Sequence, residues 1–332
     1  MEFRKIKNKE ISTEGDKKLY KETLLIDNDK YGMFYVTKNV NNRVILFLHG
    51  GPGSPEYIFF QSQIKSLYLD DFYTVCYMEQ RGSGMLFEGK RNITTDILVE
   101  DIKKFSIYLC KKFKQEKLVL MGHSWGTYLG MRAVNDFPEL FSCYIGISQL
   151  CNIKESERDI YQYFIQELNK INDTKHLEKL IQYDMNAQQF PQLKYLQSVK
   201  TKILKKLNVG LTRKPLPKNM FFKQLLSFKG YTINEKFGLL GGMICSRKVF
   251  MDEVRNLKID CERHKIKIPI LIIHGKFDYQ VSMRVSQNLF SNVQAPLKEY
   301  AVFNKSAHFP HFEEAKLFTE KISSYIMRVE LE

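Results

Sequence analysis

Gly122-His123-Ser124-Trp125-Gly126 has the form G-x-S-x-G and lies between an apolar run, Leu118-Val119-Leu120-Met121, and a helix-like stretch from Thr127 to Phe137. A serine in that setting can do nucleophilic chemistry. Strand, sharp turn and helix lift the hydroxyl clear of its own backbone, and flanking glycines admit a crossing chain where a Cβ would collide. A serine hydroxyl is a poor nucleophile at neutral pH. The site therefore needs a base, an acid to orient that base, and donors for a developing oxyanion.

In alternating strand-helix chains the reactive groups sit in the loops after the C-terminal ends of the strands. His308, in Ser306-Ala307-His308-Phe309-Pro310-His311, follows the last apolar strand and is the expected base. His311, next to the start of the last helix, is expected to be a surface residue. His274 reads as a local structural histidine, and His176 and His264 read as solvated. Asp278, in Gly275-Lys276-Phe277-Asp278-Tyr279, can accept the imidazole N–H and fix its tautomer. Upstream, His49-Gly50-Gly51-Pro52-Gly53 offers a stiff, glycine-rich loop whose Gly51 N–H could pair with that of Trp125 in an oxyanion hole. Gly50 and Trp125 are expected beside the substrate pocket. The phosphate-cradling patterns G-x-x-x-x-G-K-S/T and G-x-G-x-x-G are absent. The order Ser124, Asp278, His308 is that of the α/β-hydrolase arrangement.

These residues need a scaffold of parallel strands. Arg43–Leu48, Phe72–Met78, Lys117–Met121, Phe141–Leu150, Ile268–Gly275 and Leu297–Phe303 read as strands. Helical patterns at 93–113, 127–137, 281–290 and 312–327 alternate with them. Leu19–Ile26 and Gly32–Thr37, around Asp27-Asn28-Asp29-Lys30, predict an edge hairpin. Between 152 and 264 the pattern turns helical and exceeds any ordinary connection. The expected organisation is a mostly parallel α/β sheet, with residues 1–151 and 265–332 forming one core and 152–264 an inserted helical lid.

Composition excludes several alternatives. No apolar run reaches the roughly 18 residues of a membrane span. The charged segment Met1–Glu10 does not read as a signal peptide. The six cysteines form no C-x-x-C and are expected to be reduced thiols, which suits the cytoplasm. The seven histidines show no metal-ligand spacing with cysteines or carboxylates, so neither a metal nor an organic cofactor is expected. The net charge of +14 is spread along the chain. Even the densest run, Lys200–Lys218, interleaves Leu204, Leu207, Leu211 and Leu216, which favours a solvated surface over a nucleic-acid site.

Taken together, H-G-G-P-G at 49–53, Glu79-Gln80-Arg81-Gly82-Ser83-Gly84, G-H-S-W-G at 122–126, Asp278 and His308 resemble the prolyl aminopeptidase (proline iminopeptidase) group of α/β-hydrolases. The resemblance implies Ser124 as nucleophile, His308 as base, Asp278 as orienting acid, Gly51 and Trp125 as oxyanion donors, and a lid bounding the pocket. Glu79 stands where that group usually has Asp, and Ala307 where it has Gly. Members of the group hold the substrate's amino terminus with acidic lid residues. Here Glu155, Glu157, Asp159 and Glu235 match no such motif and read as solvated helix charges. The expected activity is removal of N-terminal proline or another small residue from short peptides. An esterase, lactonase or amidase on a small molecule is the alternative, and a ligand-binding protein without turnover a third.

Overall fold

The computed structural model describes residues 1–59, 68–89, 92–217, 219–259 and 265–331. Nine strands build one sheet: β1 Phe3–Glu14, β2 Lys17–Ile26, β3 Asp29–Thr37, β4 Val44–Leu48, β5 Thr74–Glu79, β6 Leu118–His123, β7 Phe141–Ile147, β8 Ile270–Gly275 and β9 Lys298–Phe303. Their spatial order is β1-β2-β3-β5-β4-β6-β7-β8-β9. The first three strands run antiparallel, and from β5 to β9 every pairing is parallel.

The apolar runs become central strands because both their faces are covered. Along β4, Val44, Leu46 and Leu48 point into one hydrophobic layer, and Ile45 and Phe47 into the other. The first layer is closed by the helices Thr95–Phe113, Trp125–Asp136 and Met283–Asn292 through Phe105, Leu109, Leu129 and Leu289. The second is closed by the C-terminal helix Ala315–Leu331 through Phe318, Ile322 and Ile326. Strand alternation with period two delivers each side chain to its layer.

The expected hairpin forms, with Asp27 and Asn28 both at positive φ (49° and 70°) in a tight turn. Strand β1 was not expected. Nearly all of its residues are exposed, so it carries no apolar alternation, and its pairing with β2 supplies the stability instead. Its lysines and two register shifts suit an edge that must not recruit another chain. Strand β7 stops at Ile147, short of the expected Leu150, because Ser148 takes a left-handed backbone (φ 53°).

The chain between β7 and β8 is helical, as expected, with helices at Ile153–Lys170, Thr174–Leu180, Thr201–Lys206, Met220–Ser227 and Ile233–Asn256. It has its own core around Ile160, Phe164, Leu168, Phe190 and Tyr195. The two ends of the insertion meet: Asn152 pairs with Lys258, and Ile259 N–H donates to Cys151 O at 2.7 Å. The long helix Ile233–Asn256 returns to the sheet, burying Leu239 and Phe250 against it. The expected end of the insertion at 264 lies outside the described residues, as do Cys261 and His264. The other five cysteines are unbridged. No described helix is long and apolar enough to cross a membrane.

One contact fixes the elbow helix on the sheet. A Cβ on Gly126 would lie 2.2 Å from Leu48 O and 2.8 Å from His49 O, both backbone atoms that cannot swing aside. Gly126→Ala is therefore expected to destabilise the fold by about 1–3 kcal/mol or more, as overpacking against a rigid backbone does. Urea unfolding of the two proteins checks this; equal midpoints would mean the helix is not pinned there.

Candidate active site

Ser124 stands at the N-terminus of the helix Trp125–Asp136 with φ 51° and ψ −117°, a backbone conformation that a residue with a Cβ rarely adopts. Three features impose it. Ser124 N–H donates to Ile147 O at 3.0 Å, Thr127 donates to Ser124 O through both N–H (2.9 Å) and Oγ1 (2.5 Å), and Gly122 abuts Gly126 O, which a Cβ would approach to 2.6 Å. The helix start leaves the Trp125 N–H without an intrahelical partner and places the positive end of the helix dipole beside the hydroxyl.

Asp278 and His308 come from the loops after β8 and β9. Asp278 Oδ1 accepts the N–H groups of Gln280 (2.9 Å) and Val281 (3.0 Å), which turns Oδ2 toward His308; Nδ1–H of His308 donates to it at 2.8 Å. Burial alone would raise the Asp278 carboxyl. The adjacent His308 and His274 rings and the Val281 amide hold it well below the usual carboxylate range. His308 is pinned through its backbone: its N–H donates to Gly210 O at 3.1 Å, and its carbonyl accepts from His123 Nε2 (3.0 Å) and Ser148 Oγ (3.1 Å). Among the described residues no hydrogen bond closes the step from Ser124 Oγ to His308, a link that in unliganded sites commonly tightens only with substrate.

His274 is local, as expected: buried, it donates through Nε2 to Val281 O at 3.2 Å, and burial lowers its pKa. His311 is not a surface residue. It is only 1% exposed and sits between Phe318 and the His123 ring, and burial pushes it down to about 4. His176 is half-buried against Asp173 at 2.9 Å rather than free in solvent. Glu56, His123 and His311 lie together with one ligand-type atom each inside 4.8 Å, a buried group of the kind that can hold a metal. This corrects the expectation that no histidines cluster with a carboxylate at metal-ligand spacing. Glu56 carries no sequence pattern, and only the fold folds its loop back under the elbow.

The two glycine-containing motifs are one structure. Gln80 N–H donates to His49 Nε2 (3.2 Å) and Gln80 Nε2 to His49 O (2.8 Å), while Trp125 Nε1–H donates to Gln80 Oε1 (3.2 Å). Arg81 anchors the same loop, forking onto Asp101 (2.9 and 2.7 Å) and reaching Asp29 (3.0 Å). Trp125 is 1% exposed, its indole packed on Phe250. Gly50 gives its N–H to Glu56 Oε1 at 2.7 Å, leaving Gly51, at φ 118°, as the next amide of the loop.

The inserted carboxylates are largely committed. Glu157 is not solvated but buried in an ion pair with Lys200, itself buried and donating to Gln280 O at 3.0 Å. Asp159 accepts from Arg284 Nε (2.5 Å) and from Ser282 Oγ. Glu235 pairs with Lys21 (2.5 Å) and accepts Thr232 N–H in its helix's capping box, and of these four carboxylates Glu155 alone is exposed. Beside Gly51 and Pro52 opens a cleft of about 510 Å³. Its far wall is Leu193, Met243, Ile244 and Met251, with Arg247, Lys248 and Asp252 among its charged groups.

A mostly parallel sheet with a strained serine at its centre and an Asp–His pair on the loops after its last two strands defines a class. A family model for the alpha/beta hydrolase fold matches residues 43–315, and the chain belongs to that family. Among sequence relatives, it is 30% identical over 307 residues to a probable aminopeptidase, YbaC, of Bacillus subtilis, covering 91% of this chain and 94% of that one. It is 24% identical over 305 residues to a proline iminopeptidase of Saccharolobus solfataricus, covering 87% and 86%. The crystal structure of a proline iminopeptidase from Mycobacterium smegmatis shares the fold, with a TM-score of 0.63 at 14% identity over 94% of this chain and 99% of that one.

Glu79, one of the two departures from the resembled pattern, accepts from Met85 N–H at 2.5 Å and from Tyr231 OH in the long inserted segment. Burial dominates these bonds and pushes its carboxyl up to about 7. A carboxyl raised in the folded state contributes stability below its unfolded pKa of about 4.3 and loses it as pH rises through the folded value. Relative to Glu79→Gln, the protein should therefore lose on the order of 2 kcal/mol between about pH 5.5 and pH 8.5. Denaturant titrations at the two pH values measure it, and a difference that does not change with pH would refute the assignment.

Proposed function

We propose that the protein is a serine hydrolase working through an acyl-enzyme, and that it releases N-terminal proline or another small residue from short peptides. The observation that carries the hydrolase reading is the 2.8 Å His308–Asp278 hydrogen bond beside a serine held at φ 51°. Ser124 Oγ attacks the substrate carbonyl while His308 Nε2 takes its proton. The N–H groups of Gly51 and Trp125 receive the oxyanion. His308 then protonates the leaving amine, and Asp278 keeps the ring oriented and stabilises the imidazolium. Water, activated by the same histidine, releases the acyl group. No step calls on a metal or organic cofactor, and the cytoplasm, with unbridged cysteines, is the proposed setting.

Two relatives named for aminopeptidase activity support the peptide substrate. One observation favours a second reading, an esterase, lactonase or amidase on a non-peptide small molecule. Glu157, Asp159 and Glu235 are engaged with Lys200, Arg284 and Lys21. The cleft beside Gly51 has an apolar wall and two cations, Arg247 and Lys248, against one carboxylate, Asp252, which itself pairs with Arg255, a poor match for a free ammonium group.

Proline and alanine arylamides assayed against short-chain nitrophenyl esters separate the readings. Arylamide turnover is the expected result; ester turnover alone would assign the second. Ser124→Ala should leave thermal unfolding unchanged and lower kcat by about 10⁴-fold or more. Activity that survives this change would remove Ser124 from the mechanism.

A further inference from the structure

Two buried groups take no part in the chemistry above, yet they touch three of the loops that do: the glycine-rich loop, the serine elbow and the His308 loop. Glu56 is 4% exposed and His123 is 1% exposed. Glu56 Oε1 receives both Gly50 N–H (2.7 Å) and His123 Nδ1 (2.7 Å), and His123 Nε2 lies 3.0 Å from the carbonyl oxygen of His308. Other groups facing the His123 ring are the rings of His308 (4.7 Å), Phe309 (4.8 Å) and His311 (4.8 Å), with Asp278 behind His308.

The hydrogen-bond chemistry fixes where the protons are. A carbonyl oxygen only accepts, so Nε2 must carry a hydrogen. A neutral ring with that tautomer would aim the Nδ1 lone pair at a carboxylate oxygen 2.7 Å away, so a second proton must lie in that contact. Glu56 Oε1 already accepts Gly50 N–H, which favours the oxygen keeping the negative charge and Nδ1 the proton. Burial opposes a charge on His123, but the Glu56 carboxylate outweighs it and raises the ring's pKa above its usual value.

We propose that Glu56 and His123 are positioning residues, a buried carboxylate–imidazolium brace that fixes the oxyanion loop, the serine elbow and the His308 loop against one another. The inference rests on the hydrolase reading of Ser124 and His308. Its physical basis is that Gly50 precedes the oxyanion donor, His123 precedes the nucleophile, and the His308 carbonyl belongs to the base itself. One two-residue contact thus sets three distances that nucleophilic attack depends on. His311 Nε2, 3.7 Å from Glu56 Oε2, closes the far side of the pair.

The test has one arm that does not need activity. In protein labelled with ¹⁵N-histidine, with the His123 resonance assigned by its loss in His123→Gln, wild type should show both ring nitrogens of His123 protonated at pH 7.5. In Glu56→Gln that imidazolium signature should vanish. The second arm is kinetic: folded Glu56→Gln should lower kcat about ten- to hundred-fold with KM within about two-fold, the pattern of displaced reacting groups. A neutral His123 in wild type, or unchanged kcat in folded Glu56→Gln, would overturn the brace. So would uptake of one equivalent of Zn²⁺ by wild type with loss of the Nδ1–H signal, which would make the trio a metal site. If Glu56→Gln does not fold, the wild-type resonance decides. Failure of Ser124→Ala to abolish turnover, with the imidazolium present, would sink the hydrolase reading and leave the brace standing.

Discussion

The structure depends on the approach of one helix to the end of one strand. Gly126 brings the backbone of the helix Trp125–Asp136 onto Leu48 O and His49 O, closer than any side chain allows. That contact, with Gly122 beneath it, forces Ser124 into its left-handed conformation and aims a helix N-terminus at the space beyond β4. The strain is local and is held by the ladder from β4 through β6 to β7, whose strands are buried throughout save Ser142. A serine at φ 51° is costly in itself, and it persists because the surrounding sheet leaves the chain no other path.

Around that elbow, polar groups join the loops in two tiers. In one, Gln80 ties His49 to Trp125, so the glycine-rich loop and the elbow helix share a hydrogen-bonded joint. Deeper, the Asp278 carboxylate is aimed by two amides at His308, whose backbone is anchored to Gly210, His123 and Ser148. Buried carboxylates behave oppositely according to their partners. Asp278 and Glu56 face imidazoles and stay low, whereas Glu79 faces a phenol and an amide and is raised to about 7. Burial raises each of them, and the charge follows from whether a neighbour outweighs that burial.

Much of this was legible in the residues. The apolar runs of β4, β6 and β8 announce strands covered on both faces, and Gly122 and Gly126 announce the elbow because only close backbone contact needs them. Asp278 and His308 followed from their place after strands. Strand β1 was hidden because a solvated edge strand lacks apolar alternation. The partners of His123 were hidden for another reason. Glu56 lies 67 positions before His123, and His311 reads as an ordinary histidine beside a proline. Only the closing of the sheet brings them under Ser124. The same holds for Glu157 and Lys200, which look like helix surface charges until the insertion folds around them.

The helix Ile233–Asn256 links the insertion to the chemistry. Ser246 fills the space above Gly53, Phe250 packs on Trp125, and Arg247 and Lys248 face the cleft beside Gly51. What enters that cleft therefore meets the glycine-rich loop at 49–53 and the inserted helix together. The central claim is that Ser124 is the nucleophile, and a fluorophosphonate tests it most directly. Peptide mapping by mass spectrometry after inactivation should find a single phosphonyl adduct, on Ser124. Folded protein that takes no adduct, or carries it on another residue, would contradict the account.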